Sequence, residues 1–281
     1  MAFMSTGTAR KGMDLPTRKR DRMRALYLAA SSLVLTVGLT TPCRAATLFL
    51  AIDSSGFTVD EATPSGTVSV FAGAGLSNPI GVAFDSAGNL YVANSGNNTI
   101  EKFTPGGTGS VFANTGLSTP TGLAFDTSGN LYVSNFGNNT IEKFTSGGVG
   151  SVFANTGLSL PDGLAFDTSG NLYVGNYSGN TIEEFTPGGV GSVFASGLDD
   201  PQGLAFDSAG NLYVANFEDG IIDEFTPGGV GSTFTTVTVA GPTGLAFASS
   251  ASSPEPSSWA LFALGGAALV LNRRLKLGNA R

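Results

Sequence analysis

The chain has 281 residues, among them 40 glycines, one cysteine and no histidine, and its formal net charge is −7. Without histidine it cannot form a Ser-His-Asp triad or a histidine-ligated metal site. One cysteine allows neither an intramolecular disulfide nor a four-thiolate metal site. Any chemistry must therefore use carboxylates, hydroxyls, amides or a hard metal ion.

The net charge is the sum of three regions of unlike sign. Residues 1–45 carry +6, residues 46–253 carry −16 with only two lysines, and residues 254–281 carry +3. A strongly acidic body cannot neutralise phosphate groups, which supply most of the affinity for nucleic acid. The same charge disfavours anionic membrane surfaces. We therefore expect no nucleic-acid partner.

Residues 1–45 have the order of a signal peptide. A basic segment over 10–24 precedes an apolar run from Ala25 to Leu39, and small residues follow up to Ala45. This order is typical of an export leader that is removed after translocation. Since Cys43 lies in the leader, the mature protein would contain no cysteine.

The central region is one unit repeated. The pattern Gly-[Val/Leu]-Ala-Phe-Asp-x-x-Gly-Asn-Leu-Tyr-Val-x-Asn recurs at intervals of 40 or 41 residues, and a truncated copy closes the series. The copies start at Gly81, Gly122, Gly163, Gly203 and Gly244. Each unit reads as four short strands joined by Asp-x-x-Gly-Asn and Gly-Gly turns. Units of this length and strand number predict an all-β fold, a β-propeller.

The repeated residues also carry a family resemblance. Pro-x-Gly-[Val/Leu]-Ala-Phe-Asp-x-x-Gly-Asn-Leu-Tyr-Val-x-Asn-x-x-x-Asn-x-Ile resembles the NHL repeat over roughly 81–247. The family is usually basic just after the second Asn, where this chain has Thr99, Thr140, Thr181 and Ile221. The resemblance implies a propeller, and this departure argues against binding of polyanions.

The length of the body predicts five four-stranded blades over 46–248. Residues 46–80 align with strands two to four, and 244–248 supply a strand one without its followers. Together these fragments would form a composite blade that closes the ring and removes exposed sheet edges. A six-bladed or incomplete ring is the alternative.

The C-terminus has three parts in a fixed order. After a Ser- and Pro-containing linker over 249–256, an apolar run leads to a basic cluster, all within the tail 257–281. The marker residues are Pro254, Glu255, Pro256, Arg273 and Arg274. This order resembles the PEP-CTERM sorting signal, in which a short transmembrane helix precedes arginines.

The resemblance implies an exosortase-type membrane protease as a partner that recognises and removes the tail. It also implies a Gram-negative host that makes extracellular polysaccharide. The expected location is the cell surface or the extracellular matrix, with transient anchoring in the inner membrane by the tail. Apart from the leader and the tail, no part of the chain is expected in the membrane.

Residues that differ between blades are the functional candidates, because residues present in every blade serve the blade itself. The loops between strands two and three share a rim with the loops between blades. On this rim we predict a ligand-binding set of aromatic and amide side chains. Its members are Phe136, Tyr177, Phe217, Asn98, Asn139, Asn180 and Gln202.

Acidic residues gather on the same rim in neighbouring repeats. Carboxylate oxygens suit Ca²⁺, so Asp162, Asp199, Asp200 and Asp219 form a candidate metal site. Three interpretations stay open: a solvated rim without a partner, a face that binds carbohydrate or protein, and a calcium site.

A calcium site would fit a hydrolase like the gluconolactonase-type propellers. Streptogramin-lyase-type propellers rely on a catalytic histidine, which this chain lacks. Near-identical blades also leave little room for a catalytic constellation. We therefore favour a non-enzymatic binding or scaffold protein with no catalytic residue, and keep the metal-dependent hydrolase as the alternative.

Overall fold

The computed structural model describes residues 48–52, 58–62, 68–237, 241–247, 260–264 and 269–272. The described residues form six antiparallel sheets, four with four strands and two with three strands. Each four-stranded sheet is one repeat, and its strands follow one another in chain order. The predicted all-β propeller is confirmed.

The four complete blades begin at the inner strand and end at the outer edge. Blade one contains β4 (Pro79–Phe84), β5 (Leu90–Asn94), β6 (Thr99–Phe103) and β7 (Gly109–Ala113). Blade two contains β8 (Pro120–Phe125), β9 (Leu131–Asn135), β10 (Thr140–Phe144) and β11 (Gly150–Ala154). Blade three contains β12 (Pro161–Phe166), β13 (Leu172–Asn176), β14 (Thr181–Phe185) and β15 (Gly191–Ser196). Blade four contains β16 (Pro201–Phe206), β17 (Leu212–Asn216), β18 (Ile221–Phe225) and β19 (Gly231–Thr236).

Two three-stranded sheets flank these blades. The first contains β1 (Leu48–Ile52), β2 (Thr58–Ala62) and β3 (Val68–Ala72), which are the expected strands two to four. The last contains β20 (Gly244–Phe247), β21 (Ala260–Leu264) and β22 (Leu269–Asn272).

The composite fifth blade is therefore wrong. It required β20 to pair with β1, whereas β20 pairs with β21 in a separate sheet and β1 is an edge strand of its own sheet. An inner strand without a neighbour exposes a free edge, and the apolar tail segment covers that edge. The described part of the chain holds four complete blades and not five.

The tail also differs from the predicted helix, because its described parts form the strands β21 and β22. The described residues contain no helix that is long and apolar enough to cross a membrane. The signal peptide 1–45 and the linker 249–256 lie outside the described residues.

Burial follows strand position within each blade. All five residues of every second strand are buried, as expected for a strand with a neighbouring blade on each face. Fourth strands begin with three exposed residues because they form the outer edge. The burial of a strand thus depends on its distance from the central axis of the propeller.

Tyrosines that recur in the second strands pack the blades together. The Tyr91 ring lies edge-on to Phe112 of its own blade and Phe125 of the next, with centroid distances of 4.9 Å each. Tyr132 and Tyr173 repeat this arrangement. Edge-to-face aromatic pairs add about 0.5–1.5 kcal/mol beyond the area that they bury.

Successive inner strands approach so closely that only glycine fits at one position. A Cβ atom on Gly122 would overlap the main-chain oxygen of Asp162, and one on Gly163 would overlap that of Gln202. This contact explains the glycine in the Pro-x-Gly start of each inner strand. It also brings the residue before each glycine next to its counterpart in the neighbouring blade.

Candidate binding face

Strand register divides the functional candidates between two rims. Inner strands begin beside the end of the second strand, as Pro120 pairs with Asn135. We call this end the loop rim, formed by loops 95–98, 136–139, 177–180 and 217–220 and by the loops between blades. The opposite end is the turn rim, formed by the Asp-x-x-Gly-Asn turns 85–89, 126–130, 167–171 and 207–211.

On the turn rim, the repeated Asp and Asn residues hold the turns. Asp126 Oδ1 accepts hydrogen bonds from the amides of Ser128 (2.9 Å) and Asn130 (2.8 Å), and its Oδ2 accepts one from Asn130 Nδ2 (2.8 Å). Asp85, Asp167 and Asp207 make the same three bonds. The predicted role of these residues as turn formers is confirmed.

Both lysines of the described residues also belong to the turn rim. Lys102 Nζ lies 3.7 Å from Asp85 Oδ2, and Lys143 Nζ lies 3.7 Å from Asp126 Oδ2. Each ammonium group stands about 5 Å from the ring centroid of Tyr91 or Tyr132. Within the part of the chain that the structure describes, the loop rim therefore has no basic side chain.

On the loop rim, a buried asparagine ends every second strand and holds the loop that enters its blade. Asn135 Nδ2 donates to Gly116 O (2.8 Å) and Thr140 Oγ1 (3.0 Å), and its Oδ1 accepts from Ser118 N (3.0 Å). Asn94 and Asn176 repeat this pattern. Sequence reasoning missed this role, although the final Asn of Leu-Tyr-Val-x-Asn in all four repeats was its signal.

The predicted rim amides Asn98, Asn139 and Asn180 link one blade to the next. All three have positive φ angles of 57°, 59° and 55°. Their Oδ1 atoms accept hydrogen bonds from the amides of Thr119 (2.7 Å), Leu160 (2.7 Å) and Asp200 (3.2 Å). These contacts are sufficient to explain why the residue recurs in three blades.

The predicted aromatic surface is more enclosed than the sequence indicates. Tyr177 is only 3% exposed, and its ring centroid lies 6.0 Å from that of Phe136, which is half-buried. Burial, followed by the neighbouring Asp200, raises the pKa of the Tyr177 hydroxyl, which donates a hydrogen bond to that carboxylate. Phe217 is half-buried too. Tyr177 is therefore not an exposed stacking platform.

At the channel mouth, the residues before the inner-strand glycines form a polar network between blades two and three. Ser134 Oγ donates to the main-chain oxygen of Asp162 (2.6 Å) and lies 3.0 Å from Thr121 Oγ1. Burial raises the pKa of the Asp162 carboxyl to about 6, and a hydrogen bond with Thr121 opposes the increase. Gln202, the predicted rim amide of blade four, is buried as well.

The predicted calcium ligands take part in contacts of their own. Among the described residues, no group of three or more acidic, histidine or cysteine side chains could hold a metal ion. Asp219 accepts a hydrogen bond from Ile221 N within its own turn (2.8 Å), Asp200 binds Tyr177, and Asp162 binds Thr121. Asp199 donates its main-chain amide to Asn216 (3.4 Å). The metal site of Asp162, Asp199, Asp200 and Asp219 therefore stays a prediction, and three of its carboxylates are engaged in separate contacts.

A second group of buried carboxylates lies between the blades. Glu101, Glu142 and Glu183 occupy equivalent positions in strand three, and each is at most 6% exposed. Burial raises the pKa of all three carboxyls. In blade four the equivalent Asp223 accepts a hydrogen bond from Asn216 Nδ2 (2.8 Å). Sequence reasoning missed these residues because they alternate with a surface lysine or glutamate.

The sorting residues Pro254, Glu255, Pro256, Arg273 and Arg274 lie outside the described residues. Comparison of sequences locates the motif there nonetheless. The PEP-CTERM protein-sorting motif matches residues 254–274, and the NHL repeat matches residues 76–103 and 117–144. No curated protein matches the sequence.

Among solved structures, several propellers are similar to this chain. A gluconolactonase from Xanthomonas campestris has a TM-score of 0.66 at 20% identity, covering 79% of this chain and 80% of that one. A chain of a nidogen/laminin complex has a TM-score of 0.66 at 20% identity, with coverage of 78% and 85%. A streptogramin B lyase has a TM-score of 0.64 at 16% identity, with coverage of 78% and 72%.

Identities this low establish the fold alone, since one propeller scaffold carries many activities. The NHL repeats and the PEP-CTERM motif identify sequence families that the fold alone does not distinguish. The chain is a β-propeller that contains NHL repeats and ends in a PEP-CTERM sorting motif.

Proposed function

We propose that this protein is exported, loses its tail to an exosortase-type protease, and acts outside the cell as a non-enzymatic binding or scaffold protein. Its ligand is a neutral polysaccharide of the extracellular matrix, bound at the channel mouth on the loop rim. The PEP-CTERM motif at residues 254–274 supports export and processing.

One observation carries the proposed site. Polar residues that recur in the blades are engaged in turns or in links between blades, whereas the residues at the channel mouth differ from blade to blade. These are Ile80, Thr121, Asp162 and Gln202 in the four complete blades. Recurring side chains have their hydrogen-bond partners within the fold and stabilise the ring. The side chains that vary between blades are therefore the best candidates for selecting a ligand.

The charge of the loop rim supports a neutral ligand. Glu218, Asp162 and Asp200 all lie near Tyr177, Asp219 is a further exposed acid of the rim, and both lysines of the described residues lie on the turn rim. An uncompensated acidic rim repels anionic polymers. Carboxylate and amide side chains can accept hydrogen bonds from sugar hydroxyl groups, and Gln202 can also donate them.

Binding and turnover assays on the same protein test this proposal. Protein isolated from the matrix of its host should retain neutral polysaccharide, and purified polysaccharide should bind to it without being cleaved. Hydrolysis of sugar lactones that is abolished by EDTA and by Asp200→Ala would establish the hydrolase instead. If the protein bound no matrix polysaccharide, the proposed binding function would be wrong.

A further inference from the structure

Two blades carry the same potential modification motif at the same place. Asn97-Asn98-Thr99 and Asn138-Asn139-Thr140 both fit Asn-x-Thr, the acceptor motif for N-linked glycans. Each lies in the loop between strands two and three of its blade, on the loop rim. Asn97 and Asn138 are both exposed.

The side chains of each motif have the same arrangement. Thr99 Oγ1 donates to Asn97 Oδ1 (2.9 Å), and Thr140 Oγ1 donates to Asn138 Oδ1 (2.9 Å). In the described part of the chain, Nδ2 of neither asparagine has a hydrogen-bond partner. A substituent on that nitrogen would therefore break no contact of the fold and would extend into solvent.

The other two blades show that the turn does not need this asparagine. Gly179 occupies the equivalent position in blade three, where Thr181 still accepts a hydrogen bond from Asn176 Nδ2 (3.1 Å). In blade four Asp219 occupies it, and Ile221 replaces the threonine. At this loop position the asparagine and the complete motif are therefore confined to blades one and two. Asn176-Tyr177-Ser178 of blade three also fits Asn-x-Ser, but Asn176 is only 2% exposed and both its Oδ1 and its Nδ2 are bound within the fold.

We propose that Asn97 and Asn138 carry N-linked glycans in the exported protein, which rests on the export that is part of the proposed function. The donor is a glycan linked to a polyprenyl diphosphate on the outer face of the inner membrane. Nδ2 forms a bond to the anomeric carbon, the bond from that carbon to the diphosphate oxygen breaks, and the lipid diphosphate leaves with the electron pair. The amide proton passes to a base.

Modification at these sites would divide the loop rim into two halves. Glycans would cover blades one and two, while the acidic residues Asp162, Asp200 and Glu218 belong to blades three and four or the loop between them. Since glycans are bulky and hydrophilic, the half of the loop rim that stays accessible is the one that carries Asp162 and Gln202, two of the four residues of the proposed polysaccharide site.

Glycopeptide mass spectrometry of full-length protein made in its own host tests the proposal. Trypsin cleavage after Lys102 and Lys143 separates the two motifs, because these are the only basic residues between 46 and 253. Both peptides from the leader-free, exported fraction should carry hexose-containing masses on Asn97 and Asn138. Asn97→Gln and Asn138→Gln should each remove the mass from one peptide only.

Thr140→Ser is the matched control, since it keeps the motif and should keep the glycan, whereas Thr140→Val should lose it. Asn180, which is followed by Thr-Ile and so is not in a motif, should be unmodified. Exported protein with unmodified peptides would overturn the glycan proposal and leave export intact. Absence of any leader-free protein outside the inner membrane would overturn both.

Discussion

The two rims of the propeller are built from similar residues but differ in how uniform they are. On the turn rim, all four complete blades use the same Asp-to-Asn hydrogen-bond pattern. The loop rim has two layers. The buried layer is uniform and contains Asn94, Asn135 and Asn176, whereas the residues of the layer above it change between blades. The uniform contacts stabilise the ring, and the variable residues above them can determine which ligand binds.

The largest effect should come from the buried layer of the loop rim. Asn135→Ala removes three hydrogen bonds from a fully buried position and leaves Ser118 N and Gly116 O without this partner. We expect the free energy of unfolding to fall by about 3 kcal/mol or more. Denaturant unfolding measures it, with Asn138→Ala as the control.

Asn138 lies three residues away but is exposed, and its replacement should cost about 0.5 kcal/mol or less. Equal losses for the two variants would mean that the loop rim is not divided into a structural layer and a free layer. The comparison is best made on protein without glycans, so that only the side chain changes.

The uniform turn rim should respond equally in different blades. Asp126→Ala and Asp207→Ala each remove an acceptor of three hydrogen bonds. Each should cost about 2 kcal/mol. Asp126→Ala should lower the free energy of unfolding by about 0.3 kcal/mol more than Asp207→Ala, because the partly exposed ion pair of Asp126 with Lys143 also disappears. Thermal unfolding in parallel measures both, and widely different costs would contradict a uniform rim.

A smaller effect of opposite sign is expected from the buried glutamates. Because burial raises the pKa of Glu142, the folded state favours its neutral form. Stability associated with that form is complete below the ordinary glutamate pKa and is lost as the pH rises through the raised value. Glu142→Gln should therefore stabilise the protein at pH 7 by about 1 kcal/mol.

Melting temperatures at pH 4 and pH 7 measure this gain, which should disappear at the lower pH. Asp223→Asn is the matched variant in blade four. There the carboxylate accepts a hydrogen bond from Asn216 Nδ2, so the substitution should give no gain at either pH. A gain for Asp223→Asn equal to that for Glu142→Gln would mean that the hydrogen bond does not distinguish the blades.

The strands and turns of the repeat were predictable from the sequence, whereas the loop-holding role of Asn135 and the burial of Glu142 were missed although both recur. Features that occur once were not predictable. Four copies of the unit gave the strands, the turn role of Asp126 and the packing of Tyr132 between blades. The fate of β20 was not predictable, because an edge strand can pair with any extended apolar segment and the tail supplied β21. The repeat contains no information about that choice.

The candidate site was predictable in its position and not in its contacts. Sequence comparison between blades selected Asp162 and Gln202 as rim candidates, and the structure places Asp162 in one network with Thr121. The four predicted metal ligands share a rim, but a position in the repeat does not fix the direction of a side chain, and Asp162, Asp200 and Asp219 make separate contacts. Tyr177 was expected on the surface, but the neighbouring Phe136 and Asp200 enclose it.

Binding isotherms of neutral matrix polysaccharide test the central claim most directly. They compare the wild type with Asp162→Asn/Gln202→Ala, which changes the loop rim, and with Lys143→Met, which changes the turn rim. Melting temperatures confirm that all three proteins are folded. We predict at least a tenfold loss of affinity, about 1.4 kcal/mol, for the loop-rim variant and unchanged affinity for Lys143→Met. Equal affinity of all three proteins would contradict the account.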